Sequence, residues 1–163
     1  MATRNWPEPV ERVTRFLREA AAEARLEEFR DGTPTAADAA RAAGCELSQI
    51  VKSLVFVCDN RPVVVMVPGD RRADRSKIAA AAGCRSVRIA GSDEVEDATG
   101  FAPGAVAPFP LPRVGRVFID RSLFAHKLVW IGAGSPSHLA VLAPTELARL
   151  ARAQAIDAVE VGT

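Results

Sequence analysis

Two β-branched apolar runs, VKSLVFV and PVVVMV, lie either side of the four-residue connector Cys58-Asp59-Asn60-Arg61. Runs of that length and composition are strands. A connector so short and so rich in turn formers folds them back on one another as a hairpin. Both faces of the first run are apolar further along, so a sheet built on this hairpin must be covered on both sides at its middle.

One residue disturbs the pattern. Lys52 enters the first run on the face it shares with Leu54 and Phe56, while Ser53 shares the other face with Val51, Val55 and Val57. A lysine in such a strand has two readings. Its stem can pack while the ammonium reaches water. Alternatively, the cover ends near the strand's start and the ammonium faces a cleft, as an anchor for phosphate or for developing negative charge. The residues alone leave both open.

The rest of the chain supplies the cover. Val10, Val13, Phe16, Leu17, Ala20, Ala21 and Ala24 recur at spacings of three and four, which predicts an amphipathic helix over about 8–29, entered at Pro7 and Pro9 and left at Asp31-Gly32. Thr35, with Asp38 three residues on, caps a second helix that ends at Gly44. After the hairpin, PGDRRADRSK leads into a short helix closed by Gly83. VRIA is a short strand, and Ser92 is expected to cap SDEVEDAT up to Gly100. RVFID, LVWIG and HLAVLA read as strands, Pro144 starts a helix, and AVEV reads as a last edge strand. Tight connectors such as IGAGSPSHL favour antiparallel pairs. The expected fold is a single α/β (α+β) domain over 1–163, with a mixed, largely antiparallel, curved or barrel-like sheet flanked by helices.

Between Gly100 and Gly115 the chain carries four prolines and three glycines in 16 residues, too many for helix or a central strand. This is a stiff loop whose amides can be aimed at a ligand oxygen, or a rigid connection at a barrel rim. Gly132, Gly134 and Ser135 could likewise present amides or a hydroxyl, with a plain hairpin turn as the alternative. No spacing compels a catalytic triad: Asp120 ends an apolar strand and equally caps the turn after it, and His138 reads as a strand-edge polar residue or a general base. In residues 70–77, Arg71, Arg72, Arg75 and Lys77 stand against Asp70 and Asp74, a solvated face or a contact for a phosphate backbone.

A chain of 163 residues, 48% hydrophobic with a net charge of +1, can bury a real core, and the charge argues neither for nor against a polyanionic partner. Cys45, Cys58 and Cys84 are odd in number, widely spaced and without a CxxC pair. Neither a disulfide framework nor a metal site is expected, and no cofactor. Reduced thiols, the absence of an apolar leader in MATRNWPEPVERV and the absence of a membrane-length run give the expectation of a cytoplasmic protein with no membrane partner.

Taken in order, QIVKSLVF, VVVMVPGDRRADRSKIA, TGFAPGAVAPF and IGAGSPSHLAVLAPTELARL resemble the YbaK/prolyl-tRNA-synthetase-associated family over about Thr35 to Leu150. These are free-standing editing domains related to the insertion domain of bacterial prolyl-tRNA synthetase. The resemblance implies an aminoacyl-tRNA deacylase, which removes a small wrong amino acid (Ala, Cys or Ser) from tRNA, chiefly tRNA for proline. It implies tRNA as partner through its acceptor end, prolyl-tRNA synthetase as a second partner, and a monomer or weak dimer. Lys52 matches the family's characteristic lysine, and GAVAP, Gly104 through Pro108, matches its GxxxP loop. Ala105 and Pro110 stand where many relatives have glycine. The implied catalytic residues are Lys52, Gly104 and Asp120. Ser53, Pro103, Ala105, Pro108, Gly134, Ser135 and His138 are the implied substrate-binding residues. A non-catalytic module that binds tRNA or a synthetase through the same fold is the alternative.

Overall fold

The computed structural model describes residues 6–161; residues 1–5 and 162–163 of the expected 1–163 domain lie outside them. The expected hairpin forms the centre of the molecule. β2 (Val51–Cys58) and β3 (Arg61–Pro68) pair antiparallel, and Asp59 and Asn60 turn the corner with φ of 46° and 69°, the left-handed pair that a two-residue hairpin turn needs. β4 (Val87–Ile89) joins the far edge of β2 antiparallel, while β5 (Arg116–Asp120) and β8 (Gln154–Ile156) extend the β3 side in parallel. The resulting order is β4-β2-β3-β5-β8.

A second, three-stranded antiparallel sheet has the order β1-β7-β6, from Ala24–Glu28, His138–Leu142 and Val129–Ser135. The mixed, largely antiparallel architecture is as expected, but the strands form two open sheets and no closed barrel. An isolated parallel bridge between Ile50 and Trp130 links them. Between the sheets lies the main core, where Val51, Met66 and Ile119 meet Val129, Ile131, Ala140 and Leu142. Val13 and Leu17 of α1 (Glu8–Glu19) and Leu147 and Leu150 of α5 (Pro144–Ala151) close it. On the opposite face of the larger sheet, Phe56, Val63, Val65 and Phe118 pack on Ile78 of α3 (Arg75–Ala82). Covered strands of this kind carry apolar residues on both faces, which is why β3 reads as a continuous run.

Four expectations are corrected. The first helix stops at Glu19; Ala21 adopts φ 50°, and residues 24–28 form β1 because pairing with β7 lets Ala24 and Leu26 reach the core while Arg25 faces out. AVEV is not the last strand. β8 precedes it, the Ala158 N–H is drawn onto the Asp120 carboxylate, and only Val159 makes a bridge, to Ala73. Gly91, not Ser92, caps α4 (Ser92–Thr99), its N–H held by the Glu94 carboxylate at 3.0 Å. Finally, Cys58 and Cys84 form a disulfide with Cα atoms 5.9 Å apart, leaving Cys45 as a free thiol. The β2–β4 pairing sets Cys58 opposite Val87, and the Asp59 carboxylate takes the N–H groups of Arg85 and Ser86, which draws the intervening turn against the end of β2. No helix among the described residues is long and apolar enough to cross a membrane.

Candidate active site

The two sheets diverge beyond the Ile50–Trp130 bridge, and a cleft of about 300 Å³ opens there. Its floor is the first half of β2, Val51 to Leu54. Trp130 to Gly132 of β6 and Leu139 of β7 form a second wall, and Gly104 and Val106 of the proline-rich loop a third. The fourth is the segment Thr33–Ala36, which opens α2 (Ala36–Ala43). The Thr35 hydroxyl accepts the Asp38 N–H at 3.0 Å and donates to the Asp38 carboxylate at 2.8 Å, fixing the helix start. The Thr33 N–H and hydroxyl both bond the Pro136 carbonyl, which ties this wall to the β6–β7 turn.

Lys52 stands at the mouth. Its stem is half-buried, and its Nζ donates to the Arg71 carbonyl at 2.9 Å, so one of three N–H bonds is committed and two can serve a ligand. Burial pushes its pKa below the ordinary lysine value; Asp70 works against that shift and Arg72 adds to it. Lys52, Leu54, Phe56 and Cys58 address β3 in the antiparallel ladder, which turns the main chain of Ser53 toward the opposite edge. There β4 gives out, its last contact being the Ala90 N–H on the Val55 carbonyl. The Ser53 hydroxyl is buried with no hydrogen-bond partner among the described residues. A buried hydroxyl in that condition costs free energy unless something supplied from outside satisfies it.

The loop is held from below. Phe101, Ala107 and Phe109 sit in the main core, and Phe109 stacks on Phe16 at 4.8 Å. Gly104 is left exposed at the rim with φ 82°. Val106 crosses β6 so closely that a Cβ at Gly132 would meet its carbonyl oxygen at 3.0 Å. The structure therefore brings Gly104 of the proline-rich loop to one cleft with the neighbouring Lys52 and Ser53 of β2.

The other residues singled out from sequence lie elsewhere. Pro103 is exposed and Ala105 buried; they flank Gly104 without lining the cleft, and Pro108 lines a different groove beside Phe16. Asp120 is buried outside the cleft. One carboxylate oxygen accepts the Ala158 N–H at 2.7 Å, and the other accepts the N–H and hydroxyl of Ser122. Gly134 packs where a Cβ would lie 2.8 Å from the Pro9 carbonyl, so it seats α1 and does not face a ligand. Ser135 and His138 close the β6–β7 hairpin: Ser135 Oγ is 2.6 Å from His138 Nδ1 and accepts the Ser137 N–H, and His138 Nε2 is 3.1 Å from a Glu28 carboxylate oxygen. Gly132, which the sequence offered together with Gly134 and Ser135, does line the cleft. Sequence reasoning missed Thr33, Pro34, Ala36, Trp130 and Leu139, and nothing in their pattern signals a cleft.

A cleft walled by a lysine-bearing strand, a core-anchored proline-rich loop and a helix start thus sits between the two sheets of a mixed α/β domain. Residues 30–150 match the model of the aminoacyl-tRNA editing domain, and the chain belongs to that family. It is 34% identical over 121 residues to the uncharacterised protein YwhH of Bacillus subtilis, covering 74% of this chain and 76% of that one. It is 35% identical over 92 residues to the proline–tRNA ligase of Nitratidesulfovibrio vulgaris, covering 56% of this chain and 16% of the ligase. The chain thus corresponds to a small part of that enzyme's length. A crystal structure put forward as a trans-editing enzyme for prolyl tRNA synthetase superposes with a TM-score of 0.90 at 34% identity, over 96% of this chain and all of the other.

Proposed function

We propose that this protein is an aminoacyl-tRNA deacylase that hydrolyses the ester joining a small wrong amino acid, Ala, Cys or Ser, to tRNA for proline, working in trans beside prolyl-tRNA synthetase in the cytoplasm as a monomer or weak dimer. The observation that carries this reading is the convergence of Lys52, Ser53 and Gly104 on one small cleft. An aminoacyl ester is already activated, so the site needs to position it, shelter it and stabilise an oxyanion, with no protein nucleophile. In the reaction a water oxygen bonds the ester carbonyl carbon, the bond to the ribose oxygen breaks, and that oxygen leaves with a proton taken from the water. The Lys52 ammonium holds the phosphate of the terminal nucleotide, while the Gly104 amide and the Ser53 hydroxyl face the carbonyl oxygen. The narrow apolar walls made by Ile50, Trp130 and Leu139 exclude larger side chains, since steric rejection discriminates more strongly than the attraction of one extra methylene.

The test uses tRNA for proline charged with Ala, Cys, Ser or Pro. Ester loss above the buffer rate is expected on at least one of the three mischarged species, and in Lys52→Ala a fall in kcat/KM of about a hundredfold or more. Absence of hydrolysis on every mischarged tRNA refutes the deacylase reading and leaves a binding module. Undiminished activity of Lys52→Ala refutes the role given to that lysine.

A further inference from the structure

Lys52 and Leu54 line the editing cleft on one side and, on the other, a second groove of about 670 Å³ that runs over the outer face of β2. Arg72, Arg75, Ser76 and the exposed Ile89 complete the groove's walls. Of the basic residues in this region, two are committed within the protein: Arg71 donates to the Glu160 carbonyl and Lys77 to the Val159 carbonyl. Arg72 and Arg75 are exposed and take part in no ion pair or side-chain hydrogen bond among the described residues. Three cationic side chains therefore share one groove. Two acidic residues also border it: Asp74, whose carboxylate caps α3 through the Lys77 N–H, and Glu160; Asp70 stands near Lys52. The start of α3 opens onto the same groove, so the Arg75 and Ser76 amides add their positive end of the helix to the arginines.

We infer that this groove carries the single-stranded 3′ end of RNA away from the cleft, with Arg72 and Arg75 on successive phosphates upstream of the terminal nucleotide and Ile89 against a base. The inference rests on the deacylase reading: a strand whose last nucleoside enters the cleft at Lys52 can run past Leu54 straight into the groove, because both residues line both spaces. The acidic groups that border the groove leave the exposed Arg72 and Arg75 guanidiniums without an ion pair among the described residues, and a chain of phosphates can take both of them together with Lys52. A free nucleotide would occupy only the part next to Lys52.

The deciding variant is the double substitution Arg72→Gln/Arg75→Gln, read on two esters: alanyl-tRNA for proline, and alanyl-adenosine, which has no upstream phosphate. On the tRNA, kcat/KM is expected to fall at least about tenfold at low salt, and the slope of its logarithm against log salt concentration to shrink by about 1.4 for two lost contacts to a single strand. On alanyl-adenosine the variant stays within about twofold of wild type. An unchanged slope on the tRNA overturns the groove while leaving the deacylase standing, and an equal fall on both esters overturns it in favour of a distorted cleft. Should the wild-type protein hydrolyse neither these alanyl esters nor their cysteinyl and seryl counterparts, the deacylase reading falls. The groove is then judged by fluorescence anisotropy with an uncharged hairpin RNA carrying a single-stranded 3′ end, where equal affinity of variant and wild type refutes it.

Discussion

Replacing Asp120 with asparagine keeps the side chain's size and removes one of its two acceptors. In the folded protein one oxygen holds the Ala158 N–H at 2.7 Å, and the other holds the Ser122 N–H at 3.1 Å together with the Ser122 hydroxyl. Asparagine has one carbonyl oxygen, so its NH₂ group must face a main-chain N–H at one of the two places. Ala158 and Asp120 are both buried, and water cannot make good the loss. An unsatisfied buried donor costs about 1–3 kcal/mol, and replacing a charged acceptor by a neutral one weakens the surviving bonds by roughly 1 kcal/mol more. The expected loss is about 3 kcal/mol, a fall in Tm of roughly 6–12 °C for a chain of this size. Thermal and urea unfolding followed by circular dichroism measure it, and kcat/KM on alanyl-tRNA is read at a temperature where the variant is fully folded. A Tm within about 2 °C of wild type refutes this account of the carboxylate. A large drop in kcat/KM of the folded variant refutes its placement outside the chemistry and restores the catalytic role that the sequence suggested.

Gly134→Ala should cost about 2–3 kcal/mol, because it puts a side chain at φ 100° and its Cβ 2.8 Å from the Pro9 backbone; an unchanged urea midpoint would show that α1 does not bear on that strand. Reduction of the Cys58–Cys84 bond, which closes a span of 26 residues, should lower stability by about 3 kcal/mol, and alkylation without reductant should label Cys45 alone. Coincident melting curves with and without dithiothreitol, or three labelled cysteines, would contradict the pairing. Glu146 has its pKa lowered from 4.5 to about 2, first by its hydrogen bonds from Arg149 and then by the Glu23 N–H. A depressed carboxylate stabilises the fold above pH 4.5 and loses that contribution as the pH falls toward 2, so Glu146→Gln should flatten the acid limb of the stability curve between those values. An identical limb in the variant would count against it.

What the sequence disclosed was local. The β2–β3 hairpin announces itself because its turn residues and its β-branched runs agree. Gly44, Gly83 and Gly100 end three helices with positive φ as glycine does. β1 was hidden because Ala-Arg-Leu-Glu-Glu is a sequence of good helix formers, turned into strand by pairing with residues more than a hundred positions away. The Cys58–Cys84 pairing was hidden for a similar reason, since only the β2–β4 register makes the two residues neighbours. Within the site, Lys52 and Gly104 stood out as a charge in an apolar strand and a glycine in a stiff loop. Trp130 and Leu139 read as ordinary core, and nothing in their spacing says that a cleft runs past them. Asp120 stood out as the charged end of an apolar strand, and nothing in the sequence says that its carboxylate accepts the Ala158 and Ser122 N–H groups.

The walls of the cleft come from residues 33–39, 50–54, 104–106, 130–132 and 139, and no two of these stretches are covalent neighbours. Neither sheet holds a complete wall set by itself, so the cleft exists only when both sheets are folded and packed together. Under the proposed function, turnover therefore doubles as a gauge of complete folding: along any denaturation series, deacylation should vanish no later than the last tertiary signal, and a single enzymatic assay would report whether both sheets have come together.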